Sequence, residues 1–234
     1  MYKQKGKMSG FHQFHEEWYE QLGELVQQLK KAPRPAANQE QHELHTQLIQ
    51  KFTSHYYEYY RVKSIAAKKD ILHMFSAPWS NSVERSLYWI AGWRPTTAFH
   101  IIYTESSILF ESQIVDILRG FGNGNLGDLS PNQLSRFSEF QYEIIQQENA
   151  ITEQLSDWQD SANDVIGTMG DIDGKMERLV EILEKADQVR IKTIETLLHL
   201  LTAQQAVEFL IAAAHLLFGI RGWGVNHDRQ RAEG

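Results

Sequence analysis

Ten histidines and 30 acidic side chains are the groups in this 234-residue chain best able to do chemistry. His12 and His15 stand three apart with Glu16 beside them, and His42 and His45 repeat the interval, so each pair shares one face of any helix that carries it. Two imidazoles so placed can begin a metal site if further ligands join them. Neither pair has the H-E-x-x-H interval of a zinc protease, and no third ligand is identifiable, so both read as solvated surface and no metal is expected. His215 lies in the apolar run Ala212-Ala213-Ala214-His215-Leu216-Leu217-Phe218 and reads as a satisfied core histidine; His227 follows in a polar stretch. A nucleophile is harder to find. The chain has no cysteine, no G-x-S-x-G and no paired carboxylates in a recognisable setting. Gly120–Gly127 is rich in glycine but lacks the lysine and hydroxyl residue of a phosphate loop. No catalytic residues are expected, and the chain reads as a binding protein rather than an enzyme.

Charge narrows the partners. With 23 basic and 30 acidic side chains the formal charge is −7, which does not suit unaided binding to a phosphate backbone; direct DNA binding is not expected. The basic stretch Arg61, Lys63, Lys68 and Lys69 is flanked by Glu58 and Asp70 and reads as a solvated helix face. Lack of cysteine excludes disulfides and fits a reducing compartment, nucleus or cytoplasm. The most apolar stretch, Ala206 to Ile220, is interrupted by Glu208 and His215, so no membrane span is expected. Lys3, Lys5 and Lys7 do not resemble a secretory signal.

The elements that must position any site are helices. Phe11, Phe14, Trp18, Leu22, Leu25 and Leu29 recur at three- and four-residue steps, one apolar stripe of a helix that ends at Lys30–Lys31 before Pro33 and Pro35. Leu44, Leu48, Phe52, Tyr56 and Tyr59 predict a second helix from about Gln41 toward Phe75. Val83, Leu87 and Ile90 predict a third, ending at Gly92 and opened by a capping box of Asn81 and Glu84. A fourth follows Pro95 to about Arg119. Ser130, Pro131 and Gln133 open another, whose apolar positions are Leu134, Phe137, Ile144, Ile151, Leu155, Trp158, Ala162 and Val165. A break is expected near Gly167–Gly174, a helix from Met176 to Leu201, and a last one opened by Thr202 and Gln205. No strand pattern appears. The expectation is an all-α, single-domain antiparallel bundle of about seven to eight helices, several of them long, with residues 1–10 as a disordered tail, 11–229 as the domain and 230–234 as a second tail.

Particular blocks go further. His55-Tyr56-Tyr57-Glu58-Tyr59-Tyr60 with Lys63 and Ala66, Trp89-Ile90-Ala91-Gly92-Trp93-Arg94-Pro95, Leu126-Gly127-Asp128-Leu129-Ser130, Ala186-Asp187-Gln188-Val189-Arg190 and Leu201-Thr202-Ala203-Gln204-Gln205-Ala206 together resemble the plant delay-of-germination domain. The same domain forms the carboxyl-terminal half of the TGA-class bZIP transcription factors. No basic region or leucine zipper is found here, so the expectation is a stand-alone member whose DNA-binding chemistry is not carried over.

The resemblance implies a regulator acting through protein partners in seed dormancy and abscisic acid signalling, with type 2C protein phosphatases among those partners. Pollen-aperture formation and co-regulation with TGA-type factors, including homodimer formation, are alternative roles. Aromatic and charged residues of the second and third helices are the candidate partner contacts: Tyr57, Tyr60, Trp79, Glu84, Arg85, Trp89, Trp93 and Arg94. Each has a structural alternative: core for the aromatics, a cap or ion pair for Glu84 and Arg85, a cap on the third helix for Arg94. Haem binding is known of the dormancy members, so the resemblance also brings a haem- or lipid-binding sensor as an alternative, with His215 and His227 as candidate haem ligands. Family members often carry an acidic residue at the place of His215 and a histidine at the place of Leu217.

Overall fold

A computed structural model describes residues 10–119, 122–161 and 172–233. Of the tail expected at residues 1–10, residues 1–9 lie outside them and Gly10 is already helical; most of the expected break near 167–174 lies outside them too, as do Ala162 and Val165. Among the described residues all regular structure is helical, as the sequence predicts: α1 (Gly10–Lys31), α2 (Gln39–Lys69), α3 (Ile71–Ser76), α4 (Ser82–Ser86), α5 (Thr96–Leu118), the 3₁₀ turn η1 (Leu126–Asp128), α6 (Pro131–Asp160), α7 (Ile172–Leu200) and α8 (Ala203–Glu233).

Helix α1 buries Phe11, His15, Trp18, Tyr19, Leu22, Val26 and Leu29, the three-to-four spacing of one face. It runs antiparallel to α2. Near its start Phe11 meets Tyr59, and further along the Trp18 ring stacks flat on His55 at 4.9 Å. His15 and His45 both sit inside, 3% and 0% exposed, not on the surface as their polarity suggested; His45 Nε2 bonds the Pro33 carbonyl at 2.9 Å.

Two helices end earlier than the apolar spacing predicts. Helix α2 stops at Asp70 instead of running toward Phe75, because the Asp70 carboxylate accepts from the His73 backbone N–H at 2.9 Å and so starts α3. A short acidic side chain offers the backbone a local bond that competes with the helical ladder. The third predicted helix survives only as α4. Its capping box of Asn81 and Glu84 forms, but Leu87 is 54% exposed and Ile90 and Ala91 are left-handed, at φ 46° and 51°.

Later predictions fare better. Ser130 and Gln133 cap α6 reciprocally, with Pro131 in the first turn, although Leu134, expected on the apolar stripe, is 40% exposed. Thr202 and Gln205 cap each other at the start of α8. Gln205 does more: buried, it accepts from Gln133 Nε2 at 2.8 Å and donates to the Asn125 carbonyl at 3.2 Å, tying the starts of α6 and α8 to η1. Residues 230–233, expected as tail, continue α8. By length and mean hydropathy (1.4 over its most apolar window) α8 could cross a membrane. Here its apolar face, including Phe209, Leu210, Ile211 and Ala214, belongs to the core.

The Leu126-Gly127-Asp128 block is explained by close approach. A Cβ on Gly127 would lie 2.8 Å from Leu109 Cβ and 2.9 Å from the backbone of α5. Backbone cannot swing aside as a side-chain tip can, so Gly127→Ala is expected to destabilise the fold by about 1–3 kcal/mol. Urea denaturation checks this; a shift below about 0.5 kcal/mol, the range of ordinary surface substitutions, would contradict it.

Candidate interaction surface

The irregular segment after α4 is shaped by a residue a hundred positions away. Arg190 on α7 is fully buried. Its Nε donates to the Trp93 carbonyl at 2.7 Å, and its Nη2 donates to the carbonyls of Ile90, at 3.0 Å, and Trp89. Its Nη1 donates to Asp187 Oδ1 at 2.5 Å, and that same oxygen takes the Lys63 ammonium at 2.9 Å. The planar guanidinium suits this task because its donors leave in fixed directions. Three carbonyls turned toward one cation cannot also serve a helical ladder, so no helix resumes through residues 89–93, where Ile90 and Ala91 take positive φ. A Cβ on Gly92 would come within 2.9 Å of Arg190 Cζ, so the cradle closes only around glycine. Burial pushes the Lys63 ammonium down to about 8, against the opposing pull of Asp187. Lys63 is thus a core residue, 1% exposed, and not part of a solvated basic face.

Around this cradle the loop is held from three sides. Trp89 Nε1 donates to Thr152 Oγ1 on α6 at 2.9 Å, and its ring centroid lies 5.2 Å from the Arg190 guanidinium. Trp93 Nε1 donates to the Tyr60 hydroxyl at 2.8 Å. Arg94 Nε donates to Glu148 Oε2 and the Thr96 N–H to Oε1, both at 2.7 Å. Glu148 is wholly buried while the Arg94 side chain stays 50% exposed, so Arg94 bridges inside to outside rather than capping the third helix. What faces solvent is Leu87, part of Trp89 and the rim of Arg94. An aromatic ring braced on both an ion and a hydrogen bond, beside an arginine and an exposed leucine, loses little freedom on docking; such residues dominate protein interfaces.

The remaining sequence candidates divide. Tyr57 is exposed at 41%, but Tyr60 and Trp79 are core, at 5% and 7%; burial raises the Tyr60 phenol far above its ordinary value. Glu84, 4% exposed, completes the α4 capping box by accepting from the Asn81 backbone N–H at 2.9 Å, and accepts from the Tyr19 hydroxyl at 3.2 Å. Exposed Arg85 folds back on the Ser80 carbonyl. Trp79 and Glu84 belong to a second cluster, in which Arg221 of α8 holds Glu16 by Nη2 at 2.5 and 2.6 Å and stacks over Tyr19 at 4.2 Å. Tyr60, Trp79 and Glu84 thus take the structural alternative that the sequence also offered, core or cap, and present little surface.

His215 is exposed on α8, correcting its assignment to the core. His227 is also exposed, with Nδ1 3.5 Å from both Asp228 Oδ1 and Ser82 Oγ. Twelve residues of helix separate them by about 18 Å, so they cannot both ligate one haem iron, and neither imidazole is sunk in an apolar slot of the kind haem needs. No group of three His, Asp or Glu side chains suits a metal among the described residues.

The residues that sequence reasoning missed are Asp187, Arg190, Lys63 and Glu148. Asp187 and Arg190 stand among Leu183, Ala186, Val189 and Ile194 on the buried face of α7. A charge pair inside an apolar stripe was the available signal.

Comparison with known proteins gives a consistent set. A family model described as "DOG1: Seed dormancy control" matches residues 21–104, from within α1 into α5 and including the Trp89–Pro95 loop. The chain is 24% identical to Protein DOG1-like 3 of Arabidopsis thaliana, over 92% of this chain and 84% of that protein. It is 28% identical to Protein DOG1-like 4 of the same plant, over 92% and 91%. Transcription factor TGA1 of Arabidopsis thaliana is 25% identical over 77% of this chain, which spans 48% of that longer protein.

Proposed function

We propose, from the match over residues 21–104 and the whole-length relatives, that the chain is a delay-of-germination domain protein and works in seed-dormancy and abscisic acid signalling by docking a protein partner on the Leu87–Arg94 loop. The relatives are plant regulators, some of them transcription factors, and a nuclear setting suits a chain related to both. Type 2C protein phosphatases are the partner class that the family resemblance favours. One observation carries the choice of surface: a buried guanidinium and a buried carboxylate are both committed to fixing a loop whose outward residues are a leucine, a tryptophan and an arginine. Tyr57 on α2 is a secondary candidate contact.

Immobilised protein incubated with seed extract, followed by mass spectrometry, is expected to enrich a type 2C phosphatase. Leu87→Asp and Trp89→Ala should each weaken that capture by at least about tenfold, the loss typical of truncating a central interface anchor, while circular dichroism stays helical. Capture unchanged in both variants would exclude this surface; enrichment of no phosphatase would exclude the partner class.

A further inference from the structure

A groove of about 740 Å³ lies between the α2–α3 junction and the first turns of α7. Its apolar lining includes Leu72, Met176 and Val180, and Leu72 is 56% exposed while Ile71 and Met74 of the same helix are buried. Along one wall run Asp173, Glu177 and Glu181, four residues apart and hence on one face of α7, a rail about 12 Å long. Like charges at this spacing destabilise a helix by a few tenths of a kcal/mol per pair, and no ion pair relieves these three among the described residues. Two lysines also line the groove: Lys68, taken by Glu184 at 3.0 Å, and Lys69, against the five carboxylates of Asp70, Asp173, Glu177, Glu181 and Glu184.

We propose that this groove docks a basic amphipathic helix of a partner protein, its apolar side on Leu72, Met176 and Val180 and its lysines or arginines at four-residue intervals along the Asp173–Glu181 rail. Amphipathic helices lay their apolar face into apolar grooves, and the excess of carboxylates along this one selects a cationic guest. The lining carries an excess of carboxylates over lysines, which a cationic guest would balance. This surface is separate from the Trp89 loop and does not depend on it.

The probe is a fluorescein-labelled leucine–lysine amphipathic helix of roughly five turns, with a leucine–glutamate helix of the same pattern as control, read by fluorescence anisotropy. The full chain should bind the lysine helix at least tenfold more tightly than the glutamate helix, with affinity falling as salt rises. Glu177→Lys with Glu181→Lys, and separately Leu72→Asp, should each weaken binding tenfold or more. Glu111→Lys, a charge reversal on α5, should leave it unchanged. Equal binding of the two helices, or groove variants within twofold of the parent, would overturn the proposal. So would a requirement to delete residues 1–9 before the probe binds, since Lys3, Lys5 and Lys7 would then be the guest.

Discussion

Arg190→Met should lower the unfolding free energy by about 3–5 kcal/mol, the range for removing one partner of a buried, hydrogen-bonded charge network. For a chain of this length that is a fall in Tm of roughly 6–20 °C. The loss has two parts. The carbonyls of Trp89, Ile90 and Trp93 lose their donor inside the core, and an unsatisfied buried acceptor costs about 1–3 kcal/mol. Asp187 also loses its second cation and keeps only Lys63. Arg190→Lys should recover little, because one ammonium cannot reach three diverging carbonyls and a carboxylate at once. Calorimetry and urea titration measure both variants. The network is judged as a whole by replacing Lys63, Asp187 and Arg190 together with apolar residues: that triple variant should be more stable than Asp187→Leu alone, which strands two cations. A loss under about 0.5 kcal/mol for Arg190→Met, within the range of common surface changes, would mean that the loop holds its shape without the cradle.

The second large effect is acid sensitivity set by His15. This imidazole is enclosed by Phe11, Tyr19, Tyr59 and Trp79, and its Nδ1 has no hydrogen-bond partner. Burial first, and the Arg221 charge second, push it down to about 4, against the raising influence of Glu16. The unfolded chain therefore takes up a proton near pH 6.5 that the folded chain refuses until about pH 4. Stability is complete above about 6.5 and declines through that interval, by about 3 kcal/mol from this residue. His55, also lowered by burial, adds a smaller loss of the same sign. Glu16, held low by Arg221 despite its own desolvation, adds its loss only below the ordinary glutamate range. Urea midpoints from pH 7 to 4 should fall steeply in the parent and much less in His15→Phe, which keeps the aromatic packing without a titrating group. Parallel slopes would show that His15 does not control the response.

How much of this was legible depended on where the deciding partner lay. The α1 stripe and the caps at Ser130 and Thr202 are local, and the residues that settle them are within four positions of one another. The Trp89–Pro95 block is not. Val83, Leu87 and Ile90 have helical spacing, and nothing near them reveals that a guanidinium on α7 will claim the carbonyls of residues 89, 90 and 93. Lys63 misled for the same reason: its neighbours Arg61 and Lys68 are solvated, and only contact with Asp187, 124 residues away, marks it as core. Family resemblance picked out these blocks without saying what they do. The shared task of Tyr60, Lys63, the Trp89–Pro95 block and the Asp187–Arg190 pair is to assemble one loop.

That division of labour bears on how the molecule can be cut. Residues 21–104 bear the recognisable signature, yet the groups that give its loop a shape are Glu148, Asp187 and Arg190. Excised by itself, the signature would retain its letters and lose its conformation; the smallest dissectable piece able to display that loop must reach through α7.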